Sequence, residues 1–165
     1  MNSRVRCRGR REPRKLLCQR RKSSQGGHIV AAVEIADFLR REFPQTRCVV
    51  EAVGDGTSTV SHEISVKELR PGGTVSGPVL MSVADIALYV AVLGKLGIIP
   101  LAVTTSFTIN FLRRPAADRA ILGICNLLKV GHSLVVGAVE LYARGQDEIV
   151  AHAVGTYSIP RGAVT

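Results

Sequence analysis

The chain has 165 residues and a mass of 17.7 kDa, room for a single domain. Hydrophobic residues make up 46%, enough to build a core and too many for a disordered chain. A formal charge of +9 would suit a nucleic-acid or membrane-surface binder, but residues 1–27 hold ten basic side chains and one acid, Glu12, and so carry the whole excess; the rest holds twelve of each sign.

This basic leader has no apolar stretch, since Leu16 and Leu17 stand alone, so it is not a secretory signal peptide. Its arginine-rich, acid-poor composition also fits a mitochondrial transit peptide, and an internal start near residue 28 would remove it altogether. Ser23-Ser24-Gln25-Gly26-Gly27 reads as a flexible link, which places the folded domain at 28–165.

A short amphipathic helix is predicted from His28 to Phe43, with Ile29, Val33, Ala36, Leu39 and Phe43 on its buried face and Pro44 as its stop. Thr46–Val53 and Thr57–Val66 read as strands joined by an Asp55-Gly56 hairpin turn. Residues 67–76 read as a loop around Pro71-Gly72-Gly73.

Gly77 to Leu96 predicts a long helix, opened by Pro78 and closed by Gly94 or Gly97, and apolar on every side. Its length nearly suffices for a membrane span, but Asp85 in the middle and the strands that need a core oppose that reading. Four strands follow, Leu101–Phe111, Arg119–Val130, Ser133–Arg144 and Glu148–Tyr157, with turns at Gly131-His132 and Arg144–Asp147. One apolar helix with six strands predicts an α+β fold, a sheet curled around the helix, with the helix's other face covered by a partner subunit.

Cys7, Cys18, Cys48 and Cys125 form no Cys-x-x-Cys pair, and His28, His62, His132 and His152 stand singly, so no metal site is predicted. The cysteine usage suits a reduced cytoplasm. No phosphate-cradling glycine loop is present.

Asp85 is the only charged residue between Arg70 and Lys95. A carboxylate there is either hydrogen-bonded to a polar loop or kept in a partly dry cleft, able to activate water or attack a carbonyl. Gly77 offers a backbone N–H at the helix N-terminus, where a developing oxyanion is stabilised; Pro78 offers none. Eight residues separate Gly77 from Asp85, roughly 12 Å at about 1.5 Å per residue. One carbonyl cannot touch both, so a shared substrate requires Asp85 from one subunit and Gly77 from another.

The stretch Arg70-Pro-Gly-Gly-Thr-Val-Ser-Gly-Pro-Val-Leu-Met-Ser-Val-Ala-Asp85, followed by Ala102-Val-Thr-Thr-Ser-Phe-Thr-Ile-Asn-Phe-Leu-Arg-Arg-Pro115, resembles the acyl-CoA thioesterases of the phenylacetic-acid-degradation (PaaI-like) type over about residues 30–160. The resemblance implies a hotdog fold, a long central helix wrapped by a six-stranded antiparallel sheet, in homodimers that often pair into tetramers. It implies hydrolysis of a coenzyme A thioester of an acyl or aryl-acyl group, with no cofactor. It makes Asp85 the general base or nucleophile and Gly77 the donor that polarises the carbonyl. Thr104, or Thr105 by a one-residue shift, would position the water, and Arg70, Arg113 and Arg114 would meet the coenzyme A. Ser76-Gly77-Pro78 stands where the family usually has His-Gly-Gly, so Ser76 takes the histidine's place, and Arg70 stands near its usual Asn. The alternatives are an acyl-CoA-binding protein with little turnover, a hotdog dehydratase, and a nucleic-acid binder acting through the leader. No histidine lies within 63–131 to serve a dehydratase. Aromatics at 4% with no Trp leave no base-stacking platform.

Overall fold

Pro78 and Gly97 bracket the element on which the rest of the chain is built. The computed structural model describes residues 30–162; the basic leader lies outside the described residues. The central helix α2 runs Gly77–Leu96, as predicted. Pro78 sits in its first turn, where a missing N–H is no loss, and Gly97 closes it with φ +97°, a conformation that favours glycine. The elements before it are α1 (Ala32–Glu42), β1 (Val49–Gly54), β2 (Thr57–His62), a one-turn 3-10 helix (Val66–Glu68), β3 (Leu69–Arg70) and β4 (Thr74–Val75). After it come β5 (Val103–Phe111), β6 (Ile121–Val130), β7 (Leu134–Ala143) and β8 (Ile149–Ser158).

Six strands form one sheet in the order β1-β2-β6-β7-β8-β5, every neighbouring pair antiparallel. With the helix packed against its inner face, this is the hotdog arrangement. β3 and β4 make a small separate ladder inside the segment read as a loop.

Glycines on the inner face let the helix sit close. Gly137 and Gly155 are cross-strand partners on β7 and β8. A Cβ on Gly137 would stand 2.4 Å from Leu88 Cδ1, and one on Gly155 would stand 2.5 Å from Leu88 Cδ2. The fork of one buried leucine therefore occupies the space that two side chains would need. Ser58, buried on β2, donates to the Ala87 carbonyl at 2.6 Å and ties the other half of the sheet to the same helix.

Eleven of the helix's 20 residues are buried, which a membrane-spanning reading does not require and a core helix does. Within the single chain, one stripe of the helix stays open, on the face expected to meet a partner subunit. Pro78, Met81 and Ser82 are exposed and Asp85 is half-buried, at spacings of i, i+3, i+4 and i+7. Helix α1 is turned from its expected face. It begins at Ala32 and buries Ile35, Phe38 and Leu39, leaving Val33 72% exposed; Ile29 lies outside the described residues. The stripe the fold uses keeps Leu39 and takes Ile35 and Phe38 in place of Val33. Strand β2 ends at His62, not Val66, because Ser65 and Glu68 form a capping box that starts the 3-10 turn.

The Leu88 seat yields a double-mutant test. Gly137→Ala should overpack the seat and cost about 1–3 kcal/mol. Leu88→Ala should cost about 2–5 kcal/mol. Because the shortened side chain makes room for the new methyl, urea unfolding of the double mutant should show a loss clearly smaller than the sum.

Candidate active site

A carboxylate placed in an apolar helix must find donors, and Asp85 finds two. Thr104 Oγ1 donates to Asp85 Oδ1 at 2.7 Å, and the Tyr157 hydroxyl donates to the same oxygen at 2.9 Å. Both bonds fall on Oδ1, so Oδ2 is the oxygen these hydroxyls leave untouched. Thr104 and Tyr157 face one another across β5 and β8, where a bulge interrupts the register between Thr104 and Ser106. The bulge separates the two threonines: Thr105 donates instead to the Thr156 carbonyl at 3.2 Å.

Tyr157 is held from behind. Its ring stacks on Tyr89 of α2 with centroids 5.6 Å apart, and Tyr89 meets Phe43, which meets Phe38 of α1. Burial and the negative charge of Asp85 push the Tyr157 hydroxyl far above the usual phenol range, so it stays protonated as a donor. Burial likewise raises Tyr89 to about 12.

Gly77 lies elsewhere, in a cavity of about 420 Å³ at the N-terminal end of α2. Arg70, Arg113, Arg114, Met81 and Phe111 share its walls. A Cβ on Gly77 would come within 3.2 Å of the Phe111 ring. As the first helical residue, Gly77 carries an amide with no acceptor inside the helix. Arg113 pairs with Glu148 at 3.2 Å, whereas Arg70 and Arg114 have no ion-pair partner among the described residues. Ser76 precedes the helix without a side-chain capping bond and is not among the residues lining the cavity.

The segment leading into Gly77 is anchored by Glu68. Its carboxylate accepts from the Ser65 N–H and hydroxyl, both at 2.7 Å, and lies 2.7 Å from His62 Nε2. The Glu68 carbonyl accepts the Ser76 N–H at 3.0 Å, so the same residue fixes the approach to the helix start. Burial pushes the Glu68 carboxyl up, but the bonds from Ser65 and His62 outweigh it and hold the group at about 2. Among the described residues, no group of three or more His, Cys, Asp and Glu side chains is placed to hold a metal ion.

The thioesterase superfamily profile matches residues 72–150, spanning Gly77, Asp85, Thr104, Arg113 and Arg114. The structure of a candidate thioesterase from Silicibacter sp. TM1040 is 39% identical, over 82% of this chain and 96% of that one, with a TM-score of 0.75. The chain belongs to the thioesterase superfamily. Two further comparisons concern the fold alone. The E. coli PaaI protein from the phenylacetic acid degradation operon is 22% identical over 81% of this chain and 92% of its own, with a TM-score of 0.65. A hypothetical thioesterase protein with coenzyme A from Streptococcus pneumoniae TIGR4 is 17% identical over 76% and 96%, with a TM-score of 0.67. No curated protein matches the sequence.

In this thioesterase-superfamily domain, the residues singled out from sequence fall into two groups: Asp85 with Thr104, and Gly77 with Arg70, Arg113 and Arg114. Tyr157 escaped the sequence reading. Its signal was parity, since it shares the inward face of β8 with Ala151, Ala153 and Gly155, and a buried phenol needs a partner.

The Glu68 anchor gives a pH signature. The folded-state value lies below the unfolded one of about 4.5, so the anchor's stability is present above pH 4.5 and drains away as pH falls toward 2. Glu68→Gln should cost about 1.5–3 kcal/mol at pH 7. Urea unfolding followed by far-UV circular dichroism should show wild type and variant converging between pH 4.5 and 2.

Proposed function

We propose that this chain is an acyl-CoA thioesterase of the phenylacetic-acid-degradation type, working in the cytoplasm as a homodimer that pairs into a dimer of dimers. The observation that carries the reading is the split between the Asp85–Thr104–Tyr157 cluster and the Gly77 cavity on a single continuous helix. Eight residues of helix hold them roughly 12 Å apart. Antiparallel pairing of two central helices along Pro78, Met81 and Ser82 would set Asp85 of one protomer against Gly77 of the other. The long edge strand β5, with Val103 and Phe111 exposed, supports a second copy alongside.

In this reading Asp85 Oδ2 takes a proton from water or attacks the thioester carbonyl directly. Thr104 and Tyr157 hold the carboxylate in place, and Thr104 also lies where a hydroxyl can steer the water. The Gly77 N–H, aided by the helix dipole, binds the developing oxyanion. Ser76 is the remaining hydroxyl beside that amide and stands in for the family's usual histidine. Arg70, Arg113 and Arg114 meet the phosphates of coenzyme A, with Arg70 and Arg114 the two whose charge is not paired among the described residues. The chemistry needs no cofactor and no metal, because the carboxylate and the helix amide supply both proton transfer and charge stabilisation. The acyl group is aliphatic or aryl.

A panel of acyl-CoA substrates assayed for free thiol should reveal turnover that Asp85→Ala lowers by about 10²-fold or more. Equal inertness of both proteins on every substrate would instead favour an acyl-CoA-binding role. Mixing Asp85→Asn chains with Gly77→Val chains, each inactive alone, should restore activity, because each heterodimer then holds one intact site of two. No recovery with mixed dimers verified by mass would remove the composite site.

A further inference from the structure

Cys48, His62 and Glu68 form a second constellation that the Asp85 chemistry does not use. Cys48 Sγ lies 3.9 Å from His62 Nδ1, and His62 Nε2 lies 2.7 Å from Glu68 Oε1. An ionised carboxylate only accepts, so the bond to Glu68 places a ring proton on Nε2, and in the neutral imidazole the Nδ1 lone pair then faces the thiol. A nucleophile, a base and a group that orients the base thus stand in sequence.

Cys48 also borders two cavities. One, of about 230 Å³, is lined by His62, Glu68 and Ser82. The other, of about 310 Å³, lies between α1 and β1 and is lined largely by Ala36, Leu39, Val49 and Val50. The first carries the His62 and Glu68 side chains and runs up to the open stripe of α2 at Pro78 and Ser82; the second is the size and character of a place for an alkyl chain.

We propose that Cys48 is an acyl-accepting thiol, which takes an aliphatic acyl group from a thioester donor with His62 as base and seats the chain between α1 and β1. His62 Nδ1 takes the thiol proton, and Sγ bonds to the donor's carbonyl carbon. The donor's C–S bond breaks, and the departing thiolate takes the proton from His62. One thioester and one thiol are exchanged for another pair, with no change of oxidation state. Burial raises the Cys48 thiol above its ordinary range, so it is silent until His62 draws the proton away. The proposal rests on the thioesterase reading only for the class of donor.

The test uses the full-length Asp85→Asn chain, incubated separately with octanoyl-CoA and acetyl-CoA and followed by intact mass and peptide mapping. The expected result is a hydroxylamine-labile octanoyl adduct on Cys48, formed faster than the acetyl adduct and at least tenfold more slowly when His62→Gln is added. An unmodified Cys48, or an adduct that forms at an unchanged rate in His62→Gln, overturns the proposal. Should His62→Gln not fold by far-UV circular dichroism, Ala36→Leu decides: losing the octanoyl preference while acetyl transfer persists supports the chain seat, and keeping the preference overturns it. Thiol release by the wild-type chain with catalytic Asp85 is a separate readout, so either proposal can fail alone.

Discussion

The fold depends on bringing one apolar helix close enough to a sheet to bury it. Leu88 lies over the facing glycines Gly137 and Gly155, where any side chain would collide with its methyl groups. That approach fixes the rotation of α2. Ala87, Val83 and Leu88 turn to the glycine-lined inner face, the stripe through Pro78, Met81 and Ser82 is left exposed, and Asp85 at its end reaches the β5–β8 end of the sheet through Thr104 and Tyr157. The half-buried position of Asp85 is therefore a consequence of how Leu88 seats the helix. The glycines of β7 and β8 set the direction of the carboxylate without touching it.

The same geometry explains where the chain spends its few aromatic residues. It has four Phe and three Tyr, and Phe38, Phe43, Tyr89 and Tyr157 form one continuous column from α1 through α2 to β8. The column ends at the hydroxyl on Asp85. A half-buried carboxylate loses hydration, and an unmet acceptor there would cost about 1–3 kcal/mol. Two hydroxyls offset that loss, and burial keeps the phenol a permanent donor. Phe38 of helix α1 and Phe43 just after it both meet Tyr89, so this end of the chain buttresses the ring behind Tyr157.

What was legible in the sequence follows from which signals are local. Pro78 and Gly97 mark both ends of α2, and the Asp55-Gly56 turn and the strand boundaries came within a few residues, because each depends on backbone chemistry at the position itself. The buried face of α1 was misread because Val33 and Ile35 offer two overlapping apolar stripes, and only the packed neighbours choose between them. The choice between Thr104 and Thr105 stayed open for a related reason. A bulge adds one residue to β5, and the extra residue is visible only against its partner strand. Tyr157 and the Cys48–His62–Glu68 set join residues up to 72 positions apart, pairings that no local periodicity contains.

Net charge shows the same limit from the other direction. Outside the leader the positive and negative residues cancel, yet the cancellation is uneven in space. Lys95 is matched by Asp55, Arg144 by Glu51 and Arg113 by Glu148, so these charges are spent within the fold. Arg70 and Arg114 have no such match among the described residues and meet at one cavity beside the start of α2. The helix N-terminus adds its own partial positive charge at that place. A neutral domain can thus present a concentrated positive site where Arg70, Arg114 and a helix N-terminus meet. The potential that an anionic ligand meets is set by which charges are left over and where they gather.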